Sequence, residues 1–237
     1  VNLLLLFDDD FVAPRRARLH GRRLDHVREV HRAVAGRTLA VGRLGGGVGR
    51  ATVARLDDDG LELELEDDLA TAPPPKLALT VVLALPRPKT LRRVLQATAT
   101  LGVARLLLVN GWRVEKSFWK SPALAPAAIR RELCLGLEQG RDTVLPQVET
   151  HRLLKPFCDR ELDDVAAGSL RLVADPGATT PCPRAVAGAT TLLLGPEGGF
   201  IARELDLFAR HGFEAVTLGP RPLRVEQALP ALVARLT

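Results

Sequence analysis

Near the C-terminus two short apolar runs, Thr191–Gly195 and Ala215–Gly219, each lead straight into a loop of Gly and Pro, and a helical pattern follows each loop. An apolar run of that length bounded by turn residues reads as a buried strand. In an α/β sheet, ligands bind beyond the carboxyl ends of strands, where such loops gather. Glycine lets backbone groups approach a ligand without an intervening Cβ. The first loop, Gly195-Pro196-Glu197-Gly198-Gly199, is by itself equally consistent with a tight turn closing a strand. The second, Leu218–Arg224, shifts the balance because it adds Arg221 and Arg224 and leads to Glu226.

The rest of the C-terminal two thirds repeats the alternation. Strand patterns at Leu77–Leu85, Val103–Val109, Gln147–Thr150 and Ser169–Ala174 are separated by helical patterns at Thr90–Leu101 and Pro126–Gln139. That order predicts a mostly parallel sheet with helices on both faces. Upstream, Ala72-Pro73-Pro74-Pro75 reads as a stiff linker. The residues before it read as a small β-rich domain: strands at Leu3–Leu6, Thr38–Arg43 and Arg50–Arg55, a hairpin turn at Gly45–Gly47, and the strictly alternating Leu61–Glu66. Between them, apolar residues at Leu24, Val27, Val30 and Val34 predict a helix over Arg22–Val34 that sets Arg28 and Arg32 on one polar face. Two domains are therefore expected, residues 1–72 and 76–237, within an α/β class.

Charge is distributed unevenly. Phe11–Arg55 holds eleven arginines against Asp25 and Glu29, whereas Leu56–Ala72 holds eight acids and no base. A confined arginine cluster suits phosphate, which the planar guanidinium binds through two parallel hydrogen bonds, so nucleic acid is favoured over a merely solvated surface. Cys134, Cys158 and Cys182 are odd in number and far apart, which supports neither a disulfide framework nor a zinc site and suits a reducing cytoplasm. No apolar run approaches the length of a membrane helix. Leu3–Leu6 is too short for a signal peptide. The chain opens at Val1 and contains no Met, so its initiator is expected to precede Val1. No GxGxxG follows a strand at the expected place, and neither a GxxxxGK[ST] nor a GxSxG motif occurs.

GPEGGF followed by LGPRPLRVEQA resembles the paired C-terminal motifs of the knotted (SPOUT) RNA methyltransferases. Within them the chain is most similar to the small-subunit ribosomal RNA methyltransferase E family, which methylates N3 of a uridine in 16S ribosomal RNA. Val81–Leu85, Ala99–Val109, Arg113–Pro122 and Leu135–Pro146 have counterparts in the same order. The resemblance implies a C-terminal knotted α/β domain that binds S-adenosylmethionine without metal, preceded by a PUA-like or OB-like β-barrel that binds RNA. It also implies a homodimer through the knotted domain, acting on 16S ribosomal RNA or the small ribosomal subunit.

The resemblance assigns the cofactor to three loops, through Asp175, through Leu194, Gly195, Pro196, Glu197, Gly198 and Gly199, and through Leu218, Gly219 and Leu223. Arg224 and Glu226 are the catalytic candidates. Uridine N3 must lose its imide proton, and Arg224 can stabilise the charge that develops while Glu226 holds the arginine or accepts the proton. The plain alternative for Glu226 is a carboxylate favoured by the N-terminus of the last helix. RNA contacts are expected at Arg15, Arg16, His26, Arg28 and Arg32, and at Arg141 within the Glu138–Arg141 stretch, which is expected to wall the RNA or the cofactor. Phe118 and Trp119 are candidates for stacking on a base, with a core role the plainer reading. The chain departs from the family pattern at Ile201, which replaces a capping Ser or Thr, at Ala97, and at Pro230 inside the last helix. Two other readings stay open: a related enzyme acting on a ribose 2′-hydroxyl or a tRNA base, and a non-catalytic RNA-binding protein of the same fold.

Overall fold

The computed structural model describes residues 3–237, which divide into two compact units. The first comprises the residues up to Pro75 together with Cys134–Leu145; the second comprises Lys76–Leu133 and Pro146–Thr237.

The first unit is built on a six-stranded sheet. Its elements are β1 (Leu4–Leu6), β2 (Phe11–Ala13), β3 (Arg16–Leu19), α1 (Arg22–Glu29), β4 (Thr38–Arg43), β5 (Val48–Leu56) and β6 (Leu61–Leu65). The strand order is β1-β4-β5-β6-β3-β2, with β1 parallel to β4 and the other neighbours antiparallel. Alternation decides which face is buried: Leu61, Leu63 and Leu65 join the core with Val41, Val53 and Leu19, while Glu64 between them is exposed. The β4–β5 hairpin turns through Gly45–Gly47. A Cβ on Gly47 would lie 1.9 Å from the Leu69 carbonyl oxygen, so the close passage of two backbones demands glycine there. Asp57 closes the β5–β6 turn by accepting the Asp59 and Gly60 N–H groups.

Helix α1 is shorter than the periodicity predicts. It ends at Glu29, and Arg32 adopts a left-handed φ of 45°. The Ala33 N–H bonds back to the Val27 carbonyl, which tucks Ala33 into the core and leaves Val30 and Val34 exposed. Leu24 and Val27 alone form the buried stripe, so Arg28 and Arg32 do not share a helix face. Three β-branched residues among Val27–Val34 weaken the helix, and the core takes Ala33 in place of Val30.

The second unit is a six-stranded parallel sheet. Its strands are β7 (Leu77–Ala84), β8 (Val103–Val109), β9 (Gln147–His151), β10 (Leu170–Ala174), β11 (Thr190–Leu194) and β12 (Glu214–Val216). Its helices are α2 (Pro88–Thr100), α3 (Pro126–Gly140, whose last residues belong to the first unit), α4 (Leu154–Arg160), α5 (Leu162–Val165), α6 (Ala202–Arg210) and α7 (Val225–Leu236). The order is β12-β10-β11-β7-β8-β9, and every neighbouring pair is parallel. β11 lies between β10 and β7 and is buried along its whole length, which is why its sequence is continuously apolar apart from two threonines. Helix α2 opens with Pro88, whose missing N–H costs nothing at that position, and stops before Gly102, which takes φ 72°. Helices α2 and α7 pack together; α2 buries Leu91, Val94 and Leu95, and α7 buries Leu229, Leu232 and Val233. Among the described residues no helix is long and apolar enough to cross a membrane.

Candidate functional site

Because all six strands run the same way, their carboxyl ends share one edge of the sheet. The loops after β10, β11 and β12 meet there around a cleft of about 380 Å³, within the range of small-molecule sites. Its walls are Ala174–Pro176, Leu194–Phe200 and Val216–Gly219, with Arg221–Leu223 at one side and Val225, Ala228 and Leu232 of α7 behind.

Each loop is held by its own backbone chemistry. After β10, the Asp175 N–H donates to the Val216 carbonyl (3.0 Å), and Asp175 Oδ1 accepts the Gly177 N–H (3.1 Å). The chain then runs beside the end of β12, where the Cys182 N–H donates to the Thr217 carbonyl and the Thr217 N–H to the Thr180 carbonyl. After β11, the Gly199 N–H closes a turn onto the Pro196 carbonyl at 2.8 Å, with Gly199 at φ 70°. A Cβ on Gly195 would lie 3.1 Å from both Gly199 Cα and the Phe200 nitrogen, so a side chain there would push the folded-back loop apart by a few tenths of an ångström. After β12, Gly219 takes φ 122°, a conformation open in practice to glycine, and its N–H donates to Thr217 Oγ1 (3.2 Å).

Carboxylates tie the middle loop to its surroundings. Glu197 Oε1 accepts the N–H of Arg87, the N-cap of α2, at 3.0 Å. Glu204, buried in the first turn of α6, uses both oxygens: Oε2 accepts the Ile201 N–H at 2.9 Å and Oε1 accepts the Trp112 N–H at 2.7 Å. Ile201 lacks a capping oxygen, yet Glu204 still satisfies the backbone N–H of that position. The Arg113 guanidinium donates to the Gly198 carbonyl.

All ten residues expected at the cofactor (Asp175, Leu194, Gly195, Pro196, Glu197, Gly198, Gly199, Leu218, Gly219 and Leu223) line the cleft. Arg224 and Glu226 do not. Arg224 is the N-cap of α7 with an exposed side chain, and Glu226 Oε1 accepts a hydrogen bond from Arg93 at 3.1 Å instead of holding Arg224. The sequence reading missed Arg113 and Thr217. Arg113 lies 85 residues from the glycine it bonds, and a lone arginine carries no motif. Gly198 is crowded by a side chain, not by backbone: its Cβ would meet Arg113 Cδ at 3.0 Å. Among the described residues no group of three or more His, Cys, Asp or Glu side chains is arranged to hold a metal.

In the first unit the expected RNA contacts separate into committed and uncommitted side chains. Arg15 donates twice to the Leu65 carbonyl (3.1 and 2.7 Å), and Arg28 pairs with Asp58 at 2.6 Å. His26 stacks edge-on to His31 with ring centroids 4.9 Å apart. Arg16 on β3 is exposed and Arg32 lies past α1; neither has an ion-pair partner among the described residues. Arg141 follows α3 with φ 55°. Glu138, read as part of a wall for the RNA or the cofactor, is buried and pairs with Arg22 at 3.0 Å within the first unit. Acids taken from across the fold thus neutralise much of the arginine cluster. The most buried of these pairs is Asp10–Arg23, whose second hydrogen bond, Nη2 to Oδ1, spans 2.7 Å.

Comparison with known proteins gives concordant results. The family model described as RNA methyltransferase domain matches residues 73–237. Ribosomal RNA small subunit methyltransferase E of Treponema pallidum is 30% identical, over 98% of this chain and 89% of its own length. The protein of the same name from Mycobacterium bovis is 29% identical over 86% of this chain and 79% of its own. Among solved structures, ribosomal RNA small subunit methyltransferase E from Neisseria gonorrhoeae, bound to S-adenosyl methionine, superposes with a TM-score of 0.72. It covers 98% of this chain and 95% of its own at 20% identity, a likeness of fold.

Proposed function

Since the chain belongs to the ribosomal RNA small subunit methyltransferase E family of RNA methyltransferases, we propose that it methylates N3 of a uridine in 16S ribosomal RNA, with S-adenosylmethionine as the methyl donor. The observation that carries this reading is the cleft built by the loops after β10, β11 and β12. Its chemistry fits the donor. Leu194, Leu218 and Leu223 supply apolar walls for adenine, while Gly195, Gly199 and Gly219 leave backbone groups uncovered. Asp175 has a second carboxylate oxygen for a hydroxyl or ammonium group, since Oδ1 is engaged with the Gly177 N–H. When bound, S-adenosylmethionine would supply an electrophilic methyl group.

The residues of this chain then have to position a uridine and manage its proton. Arg224, at the exposed start of α7 and next to cleft-lining Leu223 and Val225, is assigned to the negative charge that grows on the uridine oxygens as the N3 proton leaves. Glu226 supports that turn of helix through Arg93. Of the RNA contacts expected in the first unit, Arg16 and Arg32 have charge to spare for RNA phosphates. A homodimer through the second unit completes the reading.

The test is nucleoside mass mapping of ribosomal RNA from cells with and without the gene, joined to transfer assays with the purified protein. N3-methyluridine that depends on the gene is expected. A 2′-O-methylated product would overturn the base chemistry while keeping the donor assignment; saturable donor binding with no transfer to any RNA would leave only an RNA-binding protein.

A further inference from the structure

We propose that Trp112 is a stacking platform for an unpaired base of the RNA substrate, set beside the cleft by a fixed turn of backbone. This rests on the RNA methyltransferase reading above and names a residue that positions its substrate. Trp112 is 78% exposed, and it is the only aromatic among the large hydrophobic side chains left exposed in the described residues. Its backbone, by contrast, is immobilised. The Val114 N–H closes a turn onto the Gly111 carbonyl at 3.1 Å, which makes Trp112 and Arg113 the two central residues. The Trp112 N–H is held at 2.7 Å by buried Glu204, whose other oxygen caps α6. Gly111 is pressed against the same carboxylate, since a Cβ there would stand 3.3 Å from Oε1. Arg113, the other half of the turn, lines the cleft and bonds to the Gly198 carbonyl.

A rigid anchor under an exposed indole is what a recognition surface requires, because little conformational freedom is lost when a partner arrives. The neighbouring charges favour a nucleic acid strand as that partner. Arg113, Lys116 and Lys120 are exposed along the same segment, against a single acid, Glu115. An indole beside guanidinium and ammonium groups suits the face of a base and the phosphates that flank it. An enzyme that acts on a base edge must take that base, or its neighbour, out of the stack. Trp119, the chain's other tryptophan, is already committed: its indole N–H donates to Asn110 Oδ1 at 3.0 Å and Arg152 lies 5.9 Å from its ring centroid.

The experiment compares wild type, Trp112→Ala and Trp112→Phe in methyl transfer to 16S ribosomal RNA transcribed in vitro, with donor affinity measured separately by calorimetry. Trp112→Ala is expected to raise KM for RNA by about tenfold or more, the scale of one lost base stack. Donor affinity should stay at the wild-type value, and Trp112→Phe should restore most of the RNA affinity. Titration of a short uridine-rich RNA should quench the tryptophan emission of wild type, and Trp112→Phe, in which Trp119 alone emits, should lose that quenching. Wild-type KM in Trp112→Ala, or quenching that survives in Trp112→Phe, would overturn the proposal. So would a changed oligomeric state in Trp112→Ala with RNA parameters untouched, which would assign the indole to a second copy of the chain. The fluorescence titration reads the stack without turnover, so a wild type that transfers no methyl group would refute the enzymatic reading while the quenching still decides the role of Trp112.

Discussion

Glu226 reaches across to Arg93: its Oε1 lies 3.1 Å from the Arg93 guanidinium, tying the first turn of α7 to the middle of α2. A carboxylate engaged in this way is a tether before it is a base. Arg93 is half exposed, so the pair is expected to contribute no more than about 1 kcal/mol. Glu226→Gln and Arg93→Met should lower stability by similar small amounts and show coupling in a double-mutant cycle. Neither should move the pH dependence of methyl transfer. A large fall in kcat with an altered acid limb, confined to Glu226→Gln, would return the carboxylate to proton transfer.

Arg224 is placed differently, with its backbone capping α7 and its side chain exposed beside the cleft. Arg224→Ala should reduce methyl transfer about a hundredfold, on the scale of losing one donor to a developing anion. Folding and donor affinity should change little, because no other described side chain is seen to depend on it. Single-turnover assays with saturating donor are the measurement, and full activity would remove the assigned role.

The two glycines of the middle loop should respond unequally. Gly195→Val should weaken donor binding, because its Cβ would press on backbone at 3.1 Å and the loop would have to shift by a few tenths of an ångström to admit it. Gly198→Ala should be milder, since the atom it meets belongs to the flexible Arg113 side chain at 3.0 Å. Calorimetry on both variants, with circular dichroism to check folding, separates the two cases.

Arginines with and without partners should differ in their effect on RNA binding. Arg16→Ala and Arg32→Ala should each weaken binding and flatten its dependence on salt, by roughly one unit in the log–log slope for each lost phosphate contact. Arg28→Ala should do less, because Arg28 is already paired with Asp58 at 2.6 Å. Filter binding across a salt series would show the difference, and slopes unchanged from wild type in all three variants would place these arginines on an idle surface.

Acid should weaken the second unit through Asp163. Its carboxyl is held below the usual range by the hydrogen bond from His211 and then by that from Arg171. A depressed folded value means the stabilisation is fully present above the unfolded carboxylate pKa of about 4 and is lost as pH falls through the lower folded value. Asp163→Asn should therefore be less stable than wild type at neutral pH and converge with it in strong acid. Thermal melts from neutral pH down to about pH 2.5 would test this.

Much of the architecture was legible because it depends on interactions near in sequence. The readings of Thr191–Gly195, Leu61–Glu66 and Thr90–Leu101 depend on an apolar run, on alternation and on helical spacing stopped by Gly102, all within a few residues of the element they define. The loops that hold the ten cleft residues were legible for a related reason: they lie directly after strands, and parallel pairing brings them to one edge whatever the helices do; it was the family resemblance that assigned those residues to the cofactor. Helix α1 shows the limit, since Val30 and Val34 have helical spacing and the backbone turns away at Arg32 so that Ala33 can be buried. The partners of charged groups were beyond reach altogether. Glu138 pairs with Arg22 from 116 residues away, and Glu226 finds Arg93 from 133. The Trp112 N–H meets Glu204 from 92. Strand and helix signals are written in local spacing, because backbone geometry repeats every two or 3.6 residues. Which carboxylate meets which guanidinium or N–H has no period, and only the packing of distant elements decides it.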